Sequence, residues 1–331
     1  MKKFFLCFAA AALLLSACNS IAPKEELVIN LQDKGAEVAP SMYGIFFEEI
    51  NHAGDGGLYA ELVKNRSFEE LEMPEGYYAE GDVLHPKKVC NHMSGEVREG
   101  SFRWTTEPVP GWNLNTQETA HAEMRLTKEN PKYPTASNNL KVTIKDASTP
   151  VRLINGGYWG MNLVKEDSYL LRTILRTSAD YKGKITALLL SEKDEVLASA
   201  PIEISGSGTW NDVHQMMRPA ATDAKGKLAL EFDGSGTVYV DYVSLFPEKT
   251  FRNRPNGLRN DVAEMLAGLQ PAFVRWPGGC VVEGISLENR FEWKKTLGDP
   301  AARSGEYSTW GYRCSYGFGY YEMLQLSLIH I

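Results

Sequence analysis

The spacing of apolar positions changes character several times along the chain. At residues 26–32 they alternate, with Leu27, Ile29 and Leu31 on one side, which predicts a strand. Residues 43–49 form a nearly continuous apolar run ending in Glu48 and Glu49, which reads as a buried strand. The glycine-rich stretch HAGDGG follows it, and then Leu58, Leu62 and Val63 fall on one helical face, with Asp55 as a candidate cap. Leu258, Val262, Met265, Leu266 and Leu269 again fall at helical spacing, and Pro271 stops that helix. A second buried run at 272–276 is broken by Pro277-Gly278-Gly279, where the backbone must turn sharply or approach a ligand closely.

Between these segments the texture differs. From about residue 73, short strand-like runs appear at 140–144, 169–176, 185–190, 227–232 and 237–245, separated by turn signals such as GSGTW and DGSGT. Leu228, Leu230 and Phe232 alternate with Ala229 and Glu231, as a half-buried strand requires. Repeated strands of this kind predict an antiparallel sandwich. The flanking strand and helix runs predict part of an α/β barrel, whose sites lie at the carboxyl ends of its strands.

Two long stretches, YGIFFEEINHAGDGGLYAELV from Tyr43 and RWPGGCVVEG with ENRFEWKKTLG from Arg275, resemble glycoside hydrolase family 51, the α-L-arabinofuranosidases, in the branch with an inserted carbohydrate-binding-type module. GYWGMNL at 157–163 and VDYVSLFP at 240–247 resemble the jelly-roll modules themselves. The resemblance runs from behind the leader to about residue 326. The fold it implies is α/β plus all-β: an incomplete (β/α)8 barrel interrupted by an inserted antiparallel β-sandwich, a jelly roll. The expected layout is a leader at 1–17, a tether with the first barrel strand and helix at 18–87, the jelly roll at 88–247, and a truncated continuation of the barrel at 248–331.

Charge and cysteine usage narrow the partners. The 331 residues carry a formal net charge of −7 without any basic run, which argues against nucleic acid and for a neutral partner such as a sugar. Lys2 and Lys3 precede an apolar run too short to span a membrane, and Leu15-Ser16-Ala17-Cys18 looks like a bacterial lipobox. Cleavage before Cys18 leaves a lipid anchor there; an ordinary leader cut after Ala17 leaves a free thiol. Either way the mature protein is exported, and in the first case it is a membrane-anchored lipoprotein, periplasmic or at the cell surface. Cys90, Cys280 and Cys314 have neither disulfide nor metal-like spacing, so no disulfide framework and no zinc site is expected, and the family resemblance implies a reaction without a metal or other cofactor.

Adjacent strand residues face opposite sides, so Glu48 and Glu49 cannot flank one glycosidic bond. The resemblance makes Glu48 a ligand of arabinofuranose hydroxyls and gives Arg275, Gly278, Gly279 and Cys280 places around the sugar; Glu49 is expected as a paired or solvated rim charge. Glu283 is expected at the rim, Phe291 and Trp293 as walls of a loop over the site, and His52 and Asp55 as fixing the loop rather than acting on substrate. A thiol with no base beside it is no nucleophile here, since glycosidic cleavage is carboxylate chemistry. Trp112, Tyr158 and Trp159 are either sugar-stacking or core rings, and Asp241 is either a structural calcium ligand or polar surface.

The resemblance also sets what is missing. Retaining furanosidases use an acid/base and a nucleophile roughly 5 Å apart, and in family 51 both glutamates lie on later barrel strands. No residue of these 331 is assigned either role, Tyr316 stands where the family has aspartate, and the chain alone is expected to be inactive. The implied substrates are arabinose-containing polysaccharides or oligosaccharides, arabinan and arabinoxylan, hydrolysed at terminal arabinofuranosyl groups. A lipid-anchored glycan-binding protein without catalysis is the alternative.

Overall fold

The computed structural model describes residues 26–87, 102–115 and 121–327, which form two units divided between Met42 and Tyr43. In the first unit, residues 26–39 run as coil and turn before a short 3-10 turn at Pro40–Met42. The strand expected at 26–32 does not form, and Leu27, Ile29 and Leu31 are exposed. A strand needs a neighbour for its backbone N–H and C=O groups, and none pairs with this one among the described residues.

The second unit begins with β1 (Ile45–Phe46). A small sheet follows, β2 (Tyr77–Glu80), β3 (Val83–Pro86) and β4 (Phe102–Arg103). Eleven more strands come next: β5 (Trp112–Leu114), β6 (Ala122–Thr127), β7 (Asn139–Ile144), β8 (Val151–Asn155), β9 (Met161–Leu163), β10 (Tyr169–Thr177), β11 (Ile185–Leu190), β12 (Val196–Ile202), β13 (Asn211–Met217), β14 (Asp223–Phe232) and β15 (Gly236–Pro247). They build one antiparallel sheet in the order β13-β10-β15-β7-β6 and another in the order β12-β11-β14-β8-β5, with β9 beside β14. Leu140, Leu171 and Val240 from the first share one buried core with Leu153, Leu189 and Leu230 from the second. The alternation expected over 227–232 is present, with Leu228, Leu230 and Phe232 in this core. Ala229 is covered as well, in a smaller cluster with Leu188 and Leu190, and Glu231 meets Arg152 at 2.7 Å across the β8 pairing.

The chain then passes through a turn at Phe251–Asn253 into α1 (Asn260–Gly268), β16 (Val274–Arg275), the one-turn α2 (Cys280–Glu283), the pair β17 (Glu306–Tyr307) and β18 (Arg313–Cys314), and α3 (Tyr320–Ser327). Ala263 of α1 is buried, whereas Met265 and Leu269, expected on its inner face, are exposed. β1 and β16 lie side by side in parallel, Ile45 opposite Val274 and Phe46 opposite Arg275. The result is a mostly β protein with few helices.

One expected element is absent. The segment after Asp55 is a series of turns and extended chain rather than a helix. Asp55 does not cap it. Its carboxylate instead faces the buried Arg66 at 3.4 Å and accepts from the Ser315 hydroxyl. A buried guanidinium without a carboxylate costs several kcal/mol, so this tertiary pair overrides a local helical preference worth tenths of a kcal/mol per residue. The segment is tied to β15 as well. Glu61 accepts from the Val63 amide at 3.0 Å, the Leu245 amide at 2.9 Å and the Ser244 hydroxyl at 2.6 Å, and burial pushes its carboxyl up to about 7. At the other side, Asp299 takes two hydrogen bonds from the Arg172 guanidinium, at 2.7 and 2.8 Å, and is held down at about 2 by them.

Candidate functional site

The parallel pair fixes the site. Phe47 donates its amide to the Arg275 carbonyl at 2.9 Å, so the carboxyl ends of β1 and β16 finish together. Beyond β1 the chain carries Glu48 and Glu49; beyond β16 it turns through Pro277-Gly278-Gly279 into α2. Glu48 Oε1 accepts from the amides of Gly279 at 3.1 Å and Val281 at 2.9 Å. These are the first free amides of a helical turn, which favour an anionic acceptor. Gly278 has φ of +145°, and a Cβ there would sit 2.4 Å from Glu48 Cγ, so only glycine lets the two strands' ends close on each other.

Arg275 is exposed at the same end, with its guanidinium 4.7 Å above the Phe46 ring. Cys280 opens α2 and its thiol is exposed, while Cys314 is buried. Glu48, Gly278, Gly279 and Cys280 are thus brought into one loop, with Arg275 on the adjoining strand. Glu283 is exposed at the end of α2. Cys18 lies outside the described residues.

Glu49 points the other way, as strand alternation requires, and here the expected rim charge is corrected. Its carboxyl is enclosed; it accepts from the Tyr312 hydroxyl at 3.0 Å, and that oxygen in turn accepts from the His52 amide at 3.0 Å. Burial, and then the nearby Asp55 carboxylate, push Glu49 up to about 8, so it holds a proton at neutral pH. Tyr312 is pushed upward too, by burial and by Glu49. Glu49, Asp55, Trp276, Pro277, Phe291, Cys314, Tyr316 and Phe318 line a small cavity of about 10 Å³, room for about one water molecule. Phe291 meets Trp276 and Tyr316 edge-on at 5.3 and 5.1 Å, and Trp293 lies 5.1 Å from Tyr320. Asn51, His52 and Tyr316, with φ of 52°, 57° and 60°, hold left-handed conformations around this pocket.

Comparison with known proteins adds what geometry alone does not. The model of the alpha-L-arabinofuranosidase 1 domain matches residues 265–328. An extracellular exo-alpha-L-arabinofuranosidase of Streptomyces chartreusis is 32% identical over 308 residues, covering 89% of this chain and 32% of that protein. Alpha-L-arabinofuranosidase 1 of Arabidopsis thaliana is 32% identical over 309 residues, 92% of this chain and 41% of that one. A solved arabinose-bound GH51 α-L-arabinofuranosidase is 30% identical with a TM-score of 0.71, covering 86% of this chain and 42% of the other. These likenesses support glycoside hydrolase family 51 over nearly all of this chain. The chain spans from a third to about two-fifths of the length of these relatives.

The three aromatic residues singled out within residues 88–247 have separate fates. Trp112 is core, 1% exposed, and donates its indole N–H to the Asn65 carbonyl at 3.1 Å. Tyr158 is half-buried against Gly56. Trp159 is 66% exposed and meets His52 at a ring separation of 5.9 Å. His52 also stacks on Tyr312 at 4.1 Å and is held below the usual histidine range, first by burial and then by Lys64. Asp241 accepts from the Lys132 amide at 3.1 Å; among the described residues no group of three or more His, Cys, Asp or Glu side chains is placed to hold a metal ion.

Sequence reasoning missed Arg66, Tyr312 and the buried state of Glu49. Arg66 sits in LVKNRSFEE with nothing local to mark it. Tyr312 lies more than 250 residues from the loop it supports, so only the fold brings them together.

Proposed function

We propose that this chain is the N-terminal part of an exo-acting, retaining α-L-arabinofuranosidase that releases terminal arabinofuranosyl groups from arabinan or arabinoxylan. The observation that carries this reading is Glu48, held by the Gly279 and Val281 amides at the joint carboxyl end of two parallel strands. Anchoring through Oε1 leaves Oε2 to accept sugar hydroxyls, with Arg275 and the Gly278–Cys280 backbone around the ring. A carboxylate already pinned by the protein needs little ordering when the sugar arrives.

The cleavage itself needs the two carboxylates about 5 Å apart. By the family resemblance both are expected on later strands of a (β/α)8 barrel, outside these 331 residues. The described pair β1–β16 is the start of that barrel in this reading, residues 88–247 are an inserted jelly roll, and the 331 residues alone are inactive. The leader directs export, with lipid on Cys18 anchoring the protein to a membrane from the outside. Among the described residues no helix is long and apolar enough to cross one.

The test is a paired assay on p-nitrophenyl α-L-arabinofuranoside, comparing residues 19–331 with the product of the verified complete reading frame. Turnover by the longer protein only is the expected result. Turnover by the 331-residue form overturns the assignment of the catalytic pair and returns Glu48 and Glu283 to candidacy. Glycan binding by both with hydrolysis by neither favours the lipid-anchored binding protein.

A further inference from the structure

The turn between β8 and β9 reads Gly156-Gly157-Tyr158-Trp159-Gly160, and it is built rather than loose. The fully buried Asn155 accepts from the Gly157 amide at 2.9 Å and donates to the Lys64 and Gly111 carbonyls, both at 2.9 Å. The Gly160 amide closes the turn on the Gly156 carbonyl at 3.0 Å. Tyr158 lies flat against Gly56, whose φ is +84° and whose missing Cβ makes the room: one placed there would be 2.6 Å from the ring. Trp159 is therefore held in place by a rigid scaffold while 66% of it faces solvent. It does not stand alone. Trp159, Tyr158, His52 and Tyr312 form a continuous row of rings with separations of 5.9, 5.3 and 4.1 Å, and the last ring is hydrogen-bonded to Glu49 beside the strand ends.

This row starts at the segment that carries Glu48. His52 follows Glu48 by four positions, at most about 14 Å of chain. The Trp159 ring, a further 5.9 Å from the His52 ring, stands at the end of the row where the next sugar of a substrate held by Glu48 would run. A flat, exposed indole selects a flat apolar face. A xylopyranosyl chair presents axial C–H groups on both faces and carries no exocyclic hydroxymethyl group; a puckered furanose offers a smaller and less planar surface.

We propose that Trp159, contributed by the inserted sandwich, is a stacking platform for the xylopyranosyl unit next to the arabinofuranosyl group, so that this site prefers arabinoxylan over arabinan. The proposal rests on the arabinofuranosidase reading for the position of the terminal sugar, and its test separates the two. The probe is xylotetraose, which has no arabinofuranosyl bond to cleave, titrated calorimetrically into the product of the complete reading frame. Wild type, Trp159→Ala, Trp159→Leu and Trp159→Phe are compared, with unfolding midpoints recorded for each.

Loss of the ring weakens xylotetraose binding about three- to tenfold in the Ala and Leu variants, and Phe recovers most of it. In parallel, the ratio of kcat/KM on arabinofuranosyl-xylotriose to kcat/KM on methyl α-L-arabinofuranoside falls by a similar factor in the Ala variant. Xylotetraose binding that is absent in wild type, or equal in all four proteins, overturns the platform even if arabinofuranosides are hydrolysed. An equal fall on both substrates also overturns it, because that is what a merely structural role produces. Trp159-dependent binding without any hydrolysis leaves the platform standing and removes the arabinofuranosidase reading instead.

Discussion

Replacing Gly278 by alanine strikes the contact on which the site is built. A side chain at φ +145° costs about 1–3 kcal/mol in backbone strain alone. The new Cβ would also stand 2.4 Å from Glu48 Cγ and 2.8 Å from its Cβ, too near the backbone for a rotamer change to relieve. Glu48 must move, and its two hydrogen bonds to the Gly279 and Val281 amides go with it. Charge-assisted bonds are worth roughly 1.5–3 kcal/mol each, and partial exposure places these near the lower end, about 3 kcal/mol together. The single variant then loses about 4–6 kcal/mol. In a Glu48→Gly background the clash and the bonds are already gone, so the same change costs only the strain, about 1–3 kcal/mol. Urea unfolding of the four proteins of this cycle measures the coupling, expected at about 3 kcal/mol. Effects that add to within about 0.5 kcal/mol would mean that Glu48 does not hold this loop.

Asp55→Ala leaves the Arg66 guanidinium buried without its carboxylate and should destabilise the protein by about 3–5 kcal/mol in the same unfolding assay. Asp241, pushed by burial from an ordinary 3.8 up to about 7, holds its proton more tightly folded than unfolded; stability from this group is present below pH 3.8 and lost as pH rises through 7. Asp241→Asn should remove that loss, so at pH 8 the variant exceeds wild type by roughly 2–4 kcal/mol in unfolding free energy, while the two converge toward pH 4. Peptide mapping after brief iodoacetamide treatment should find Cys280 alkylated and Cys314 spared, and methyl α-L-arabinofuranoside should slow the Cys280 reaction if the thiol lines the sugar site.

Strands of the two large antiparallel sheets were legible because a half-buried antiparallel sheet writes its period into the sequence. Residues 227–232 show it, whereas 185–190 are a short apolar run buried at nearly every position, and the boundaries differ from the observed strands mainly by extension of β14 to Asp223. The two strand ends of the site were legible through glycine. A PGG run after an apolar strand marks a place where a side chain cannot fit, and Gly278 is that place. What stayed hidden depends on pairs distant in sequence. Residues 26–32 alternate as a strand should, yet local pattern cannot supply a partner strand. Leu58, Leu62 and Val63 are spaced for a helix, but the Asp55–Arg66 pair and Glu61's bonds to Ser244 and Leu245 hold the segment in turns. Glu49 looked like a surface charge because its burial comes from Tyr312 and Cys314, far along the chain.

Calorimetric titration of methyl α-L-arabinofuranoside into wild type and Glu48→Gln tests the sugar-binding role most directly. Glutamine keeps an oxygen for the Gly279 and Val281 amides but replaces the free carboxylate oxygen with a donor. Binding by wild type, weakened at least about tenfold in the variant at an unchanged unfolding midpoint, is the expected result. Equal affinity in both proteins would show that Glu48 shapes the loop and does not hold the sugar.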